Sequence, residues 1–164
     1  MSVVAAFAGY FGVQYLLGGG VSLPDTLAGA TRLTDARSKE FERYTTEEGD
    51  RFGIDAEGGV YGTGGSPRFF VIVVDAAAIE TTDQLFEALV AGFSQAGATV
   101  DRSGRSSGQR GDSEYRCVTA AAAGQQAVAC MWRDAGNVGI VFEMPGSTRG
   151  TRRLLWEIHD TVVG

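Results

Sequence analysis

The strongest constraint on the fold of this chain is the placement of its two cysteines, Cys117 and Cys130. They lie in the run Glu114-Tyr-Arg-Cys-Val-Thr-Ala-Ala-Ala-Ala-Gly-Gln-Gln-Ala-Val-Ala-Cys-Met-Trp-Arg133. Folded about a turn at Ala123-Gly124, that run sets Cys117 opposite Cys130, Tyr115 opposite Trp132 and Glu114 opposite Arg133. One antiparallel register therefore aligns a thiol pair, an aromatic pair and an opposite-charge pair. Counted outward from the turn, the cysteines fall on a non-hydrogen-bonded position, where Cα atoms approach to about 4.5 Å and a disulfide can close. The spacing predicts a structural Cys117–Cys130 disulfide and favours an oxidising compartment; the alternative is a pair of small buried thiols in a cytosolic strand. Redox CxxC spacing is absent, and two cysteines with one histidine are too few for a structural zinc site.

The rest of the chain supplies partners for that hairpin. Glu57 to Thr63 and Arg68 to Asp75 read as strands around Gly64-Gly65-Ser66-Pro67, and the near-continuous FFVIVVD run suits a central strand covered on both faces. Thr81-Thr82-Asp83-Gln84 opens a helix at capping-box spacing, with Leu85, Phe86, Leu89, Val90 and Phe93 inward and Gly97 at its end. An earlier helix runs from the Thr34-Asp35 cap to Gly49 with a thin apolar face (Leu33, Ala36, Phe41, Tyr44), as on a surface helix. Ala98 to Asp101 starts a strand before a polar loop, Arg102 to Asp112. A three-residue turn at Asp134-Ala135-Gly136 would pair Trp132 with Val138, Cys130 with Ile140 and Val128 with Phe142. Ser147 to Val163 closes the chain as a helix with Leu154, Leu155, Ile158 and Val162 inward. The expected fold is α+β: a mainly antiparallel sheet of four to six strands covered by helices, preceded by an N-terminal hydrophobic helix.

That first segment, Val3 to Leu17, carries no charge. Fifteen helical residues span about 22 Å, and flanking Ser2 and Gly18 to Leu23 extend the run toward the ~30 Å of a hydrocarbon core. The domain reading is therefore 1–20 as an uncleaved membrane anchor, 21–33 as a tether and 34–164 as one extracytoplasmic domain. A buried N-terminal helix and a signal-peptide core are the alternatives. The net charge of −6 argues against a nucleic-acid partner, and 44% hydrophobic residues argue against wholesale disorder.

Little in the sequence carries chemistry. His159, the only histidine, follows the inward Ile158 and reads as a half-exposed helix residue, and no GxSxG marks a nucleophile for it. The stretch Gly58 to Gly65 lacks the phosphate-loop pattern and reads as turns and a thin edge strand. Arg102, Arg105 and Arg110, with the tripeptide Arg110-Gly111-Asp112, read as solvated loop composition. Tyr115 and Trp132 read as core aromatics beside the disulfide. Arg149, Arg152 and Arg153 crowd the start of the last helix, where the helix dipole disfavours cations, and so mark a candidate contact for an anionic group. No cofactor and no catalytic residue is assigned, and the chain is read as a non-enzyme.

Tyr115-Arg-Cys117, Cys130-Met-Trp132-Arg-Asp134 and Gly139-Ile-Val141 before a closing helix resemble a family of uncharacterised actinobacterial single-pass membrane proteins. Those carry a C…CxWxD…GxV signature in an extracytoplasmic domain behind a membrane helix. The resemblance covers roughly residues 69–162, together with the hydrophobic segment and Leu23-Pro24-Asp-Thr-Leu27-Ala-Gly29; Met131 and Arg133 depart from the usual residues. It implies a single-pass cell-membrane location and no activity. The element order is also similar to PsbP-like lipoprotein sandwiches, an analogy of fold alone. The expected function is binding by a membrane-anchored domain, as a sensor, envelope interaction module or ligand carrier. The alternative is a structural accessory subunit of a larger membrane complex.

Overall fold

The computed structural model describes residues 22–75, 81–95 and 97–163. The expected anchor, residues 1–20, lies outside them, and among the described residues no helix is long and apolar enough to cross a membrane. The fold is α+β. Its strands are β1 (Thr26–Leu27), β2 (Ala30–Arg32), β3 (Ala56–Thr63), β4 (Ser66–Asp75), β5 (Thr99–Arg110), β6 (Ser113–Ala122), β7 (Gln125–Arg133) and β8 (Asn137–Glu143). They form one eight-stranded sheet in the order β1-β2-β3-β4-β8-β7-β6-β5, every neighbouring pair antiparallel. The helices are α1 (Ala36–Phe52), α2 (Thr82–Gln95) and α3 (Thr148–Val162).

β4 is central, paired with β3 and β8, because its apolar residues serve both faces. Phe69, Val71 and Val73 enter a core beneath α3 with Cys117, Val128, Cys130, Trp132, Leu154, Leu155 and Ile158. Ile72 and Val74 enter a second core beneath α1 and α2 with Phe41, Val60, Leu85, Phe86, Leu89 and Phe93. Three layers result, and period-two alternation sends successive β4 side chains to opposite cores. The β6–β7 hairpin adopts the expected register, with Ala123 and Gly124 both at positive φ (51° and 75°) in its turn. Cys117 and Cys130 are disulfide-bonded, fully buried, with Cα atoms 4.1 Å apart.

The sheet has eight strands where four to six were expected, because residues 26–32 add two short ones, and four further expectations are corrected. First, β7 and β8 pair one residue away from the expected register, Trp132 with Gly139, Cys130 with Val141 and Val128 with Glu143. The Asp134 carboxylate accepts the N–H groups of Gly136 and Asn137, both at 2.8 Å, which closes a tighter turn than the three-residue one. The shift also places Gly139 under Trp132, where a Cβ would run into the indole. Second, the polar run 102–110 is strand: β5 pairs along β6 from Ser106 to Arg110 after an irregularity between Asp101 and Ser106. An edge strand needs main-chain bonds, not apolar side chains, so its composition hid it. Third, α1 continues through Gly49 to Phe52 and is capped by Gly53 at φ 67°. Gly49 is there because the returning chain lies against it, with Ile54 O 2.7 Å from a notional Cβ. The helix packs on the inner strand β3, not on a thin edge strand, through Ser38, Phe41, Thr45 and Glu48. Fourth, the described part of the tether, 22–33, is folded: Leu23, Leu27 and Ala30 are buried beside Tyr61 and Phe69.

That N-terminal strip is held by a polar clamp. Arg32 donates to Glu42 (2.7 Å), Glu57 (2.8 Å), Leu23 O (3.0 Å) and Gly58 O (3.1 Å). Glu57 also accepts the Leu23 N–H at 2.8 Å, and the Tyr61 hydroxyl donates to Pro24 O at 2.6 Å. Burial works against the Arg32 charge, but its bonds to Glu42 and Glu57 outweigh it and raise the guanidinium above its ordinary pKa.

Candidate functional site

α3 begins at Ser147, whose hydroxyl accepts the Gly150 N–H at 3.2 Å, as an N-cap does. Its inward stripe is Thr151, Leu154, Leu155 and Ile158. Thr151 donates to Glu143 of β8 at 2.7 Å, so the helix is fixed in rotation as well as position. Helical spacing then puts Arg149, Arg153, Trp156 and Asp160 on one outward stripe. Arg152 and His159 fall on the flank facing β6, since both contact its residues.

A chain of cations and rings runs along this surface. Arg152 lies 5.5 Å over the Tyr115 ring and donates to its hydroxyl at 3.1 Å. Tyr115 meets Trp156 edge to face at 5.8 Å. Arg110, at the end of β5, lies 5.1 Å over Trp156 and grips Asp160 with two bonds of 3.0 and 2.8 Å. These bonds, followed by one from His159, hold the Asp160 carboxyl below its ordinary pKa. Arg149 and Arg153 are exposed and make no hydrogen bond or ion pair with the described residues. Two open cations thus adjoin half-buried rings whose faces are covered by two further guanidinium groups, a geometry that cation–π contact stabilises by about 0.5–1 kcal/mol per exposed pair.

His159 ties the same surface to two turns. Its Nε2 lies 3.2 Å from Ser113 Oγ and 3.3 Å from Asp134 Oδ2, and its Nδ1 lies 3.2 Å from Asp160 Oδ1. Ser113, His159 and Asp160 therefore stand in a row of contacts that joins β6 to α3. Asp134 Oδ2 is buried and makes no hydrogen bond with the described residues, so His159 stands between two carboxylates, Asp134 at Nε2 and Asp160 at Nδ1. The ring is arranged as a fastener between the β5–β6 turn, the β7–β8 turn and α3. Among the described residues, no three His, Cys, Asp or Glu stand together as metal ligands.

Of the sequence candidates, Arg149 and Arg153 share the outward stripe, while Arg152 lies on the flank beside it, turned onto Tyr115. The loop arginines do not converge. Arg105 pairs with Glu87 on the α2 side and Arg110 joins the α3 side, while the Arg102 side chain lies outside the description. Trp132 is core, whereas Tyr115 is only half-buried and belongs to the surface chain. Trp156 and Asp160 were missed, and Arg110 was read only as loop composition. The Arg152-Trp156-Asp160 spacing of four was a visible signal; the Arg110 contact, which depends on β5 being strand, was not.

What the fold and surface define is a three-layer α+β domain with a disulfide-stapled central hairpin and an arginine–aromatic face. Set against known protein families, curated proteins and solved structures, the chain finds no match in any of the three.

Proposed function

We propose that this chain is a membrane-anchored extracytoplasmic domain that acts by binding an anionic group through the outer face of α3. The observation that carries the reading is the pair of open cations, Arg149 and Arg153, beside the Arg152–Tyr115–Trp156–Arg110 chain in a protein of net charge −6. A positive, ring-lined face on an acidic molecule attracts carboxylates or phosphates selectively. The buried disulfide and the uncharged Val3 to Leu17 segment support an extracytoplasmic domain held at the cell membrane. Sensor, envelope interaction module and ligand carrier are all forms of this activity.

A second reading, an accessory subunit of a larger membrane complex, is favoured by the composition of the same face, because Trp, Tyr and Arg are the residues on which protein interfaces most depend. Cross-linking and mass spectrometry in native membranes tests both. One stoichiometric protein partner, lost in Arg149→Glu/Arg153→Glu, supports the subunit reading. Retention of an anionic ligand by the wild type alone supports the first. Protease added to spheroplasts should digest the domain, and full protection would overturn the extracytoplasmic location.

A further inference from the structure

His159 is the only histidine of the chain and stands in the last turn of α3, where the free carbonyls of a helix end favour a cation. Each element in contact with its ring brings a polar or aromatic group. β6 presents Ser113 Oγ at 3.2 Å from Nε2, and the β7–β8 turn presents Asp134 Oδ2 at 3.3 Å from the same nitrogen. α3 itself supplies Asp160 Oδ1 at 3.2 Å from Nδ1, and Arg110, at the end of β5, donates to that same oxygen at 3.0 Å. Trp132 of β7 and Trp156 of α3 meet the ring edge to face at 5.6 and 5.3 Å. Two carboxylates thus face the ring, and the cation opposing them in these contacts, Arg110, is itself bound to Asp160. Only 16% of the His159 side chain and 13% of the Asp134 side chain are exposed, so salt screens this pair weakly.

A neutral imidazole has one N–H and one lone pair, so it cannot donate to Asp134 and Asp160 together. With the proton on Nδ1 it serves Asp160 and accepts from the Ser113 hydroxyl. Asp134 Oδ2, a buried oxygen with no hydrogen bond to the described residues, then faces a lone pair. With the proton on Nε2, Asp160 Oδ1 is the oxygen left facing a lone pair. The imidazolium serves both. We propose that His159 is a proton-operated fastener, whose charged ring bonds Asp134 and Asp160 at once and ties the β7–β8 and β5–β6 turns to the end of α3. The geometry on each side is already rigid. Asp134 Oδ1 takes the N–H groups of Gly136 and Asn137, and Arg110 holds Asp160 with two bonds. One proton comes from solvent and no covalent bond changes. An imidazole changes charge between about pH 5 and 8, so the ring makes both ties in mild acid and one at the alkaline end of that range. The stabilisation belongs to the charged ring; it is present in mild acid and lost as the proton leaves. This device goes beyond the anion-binding reading and does not depend on it.

A single histidine gives a single set of ring signals, so NMR of the full chain with ¹⁵N-labelled histidine, in a zwitterionic detergent, reads the device directly. At about pH 5.5 both ring N–H protons should be visible and slow to exchange, and at about pH 7.5 only one. Amide exchange gives the mechanical consequence. Protection factors, corrected for the intrinsic pH dependence of exchange, should be several-fold higher at the lower pH for Gly136, Asn137 and the last turn of α3. Asp134→Asn keeps the Oδ1 acceptor of the turn and sets an N–H donor against Nε2. It should hold the ring neutral with one N–H across the range and abolish the difference in protection. His159→Gln should abolish that difference as well. A wild type with one ring N–H at both pH values, or with protection that does not change, overturns the proposal even where a variant fails to fold. An Asp134→Asn chain that keeps the wild-type pH response overturns it too, since the ring would then be answering to something other than that carboxylate.

Discussion

Gly139 shows how much a single residue decides. With no side chain it lies under Trp132, the largest buried group in the core beneath α3, and it sets the partner that every β8 residue faces across β7. Gly139→Ala should cost about 3 kcal/mol, the upper range of overpacking, measured by urea unfolding. A cost near zero would mean that the indole has room elsewhere. The sequence contained this pair in plain view, a tryptophan and a strand glycine around a short turn. Residue patterns nevertheless favoured Val138, Ile140 and Phe142 as the partners, because apolar alternation alone cannot tell which of two adjacent registers a turn selects. The missing information was the Asp134 carboxylate, which takes two turn N–H groups and shortens the connection.

At the scale of elements, legibility followed apolar content. β4, the β6–β7 hairpin, α2 and α3 could be read directly, since each buries a stripe at its own period. Leu155 is fully buried on α3, so Leu155→Ala should destabilise by about 2–5 kcal/mol in thermal or chemical unfolding. The Cys117–Cys130 bridge closes a short loop across two adjacent strands, and replacing both cysteines with alanine should cost about 3 kcal/mol on chain-entropy grounds. Circular dichroism of that variant should keep the wild-type shape at low temperature, because β6 and β7 remain paired along their length. β5 and the β1–β2 hairpin stayed hidden for a common reason. Their stability comes from main-chain ladders and from neighbours remote in sequence, such as Glu57 for Leu23 and Asp160 for Arg110. The arginine–aromatic face was half legible, as three arginines on one helix, and lacked the strand that completes it.

For the whole molecule, the clamp makes stability depend on alkaline pH. Burial is the main cause that pushes the Tyr61 hydroxyl up to about 12, while an unfolded tyrosine ionises near pH 10. A raised folded pKa means stability that is fully present below about pH 10 and is lost as pH rises toward 12, because only the unfolded chain releases the proton in that window. Tyr61→Phe should flatten this decline in denaturation midpoints while costing about 1 kcal/mol at neutral pH through the lost bond to Pro24 O. An equally steep decline in the variant would place the titrating group elsewhere.

Both rims of the sheet have a bearing on crowding. One rim is β1, two residues long; the other is β5, whose ladder to β6 slips between Asp101 and Ser106 and whose Ser103 folds back onto Asp101. A neighbouring copy needs a long straight row of donors and acceptors to add itself as a further strand, and the longest the rims offer is Ser106–Arg110 of β5. Copies brought side by side at high concentration therefore meet at rims with little length for zippering into ribbons. Such a protein can be abundant at a surface and still remain a population of separate molecules.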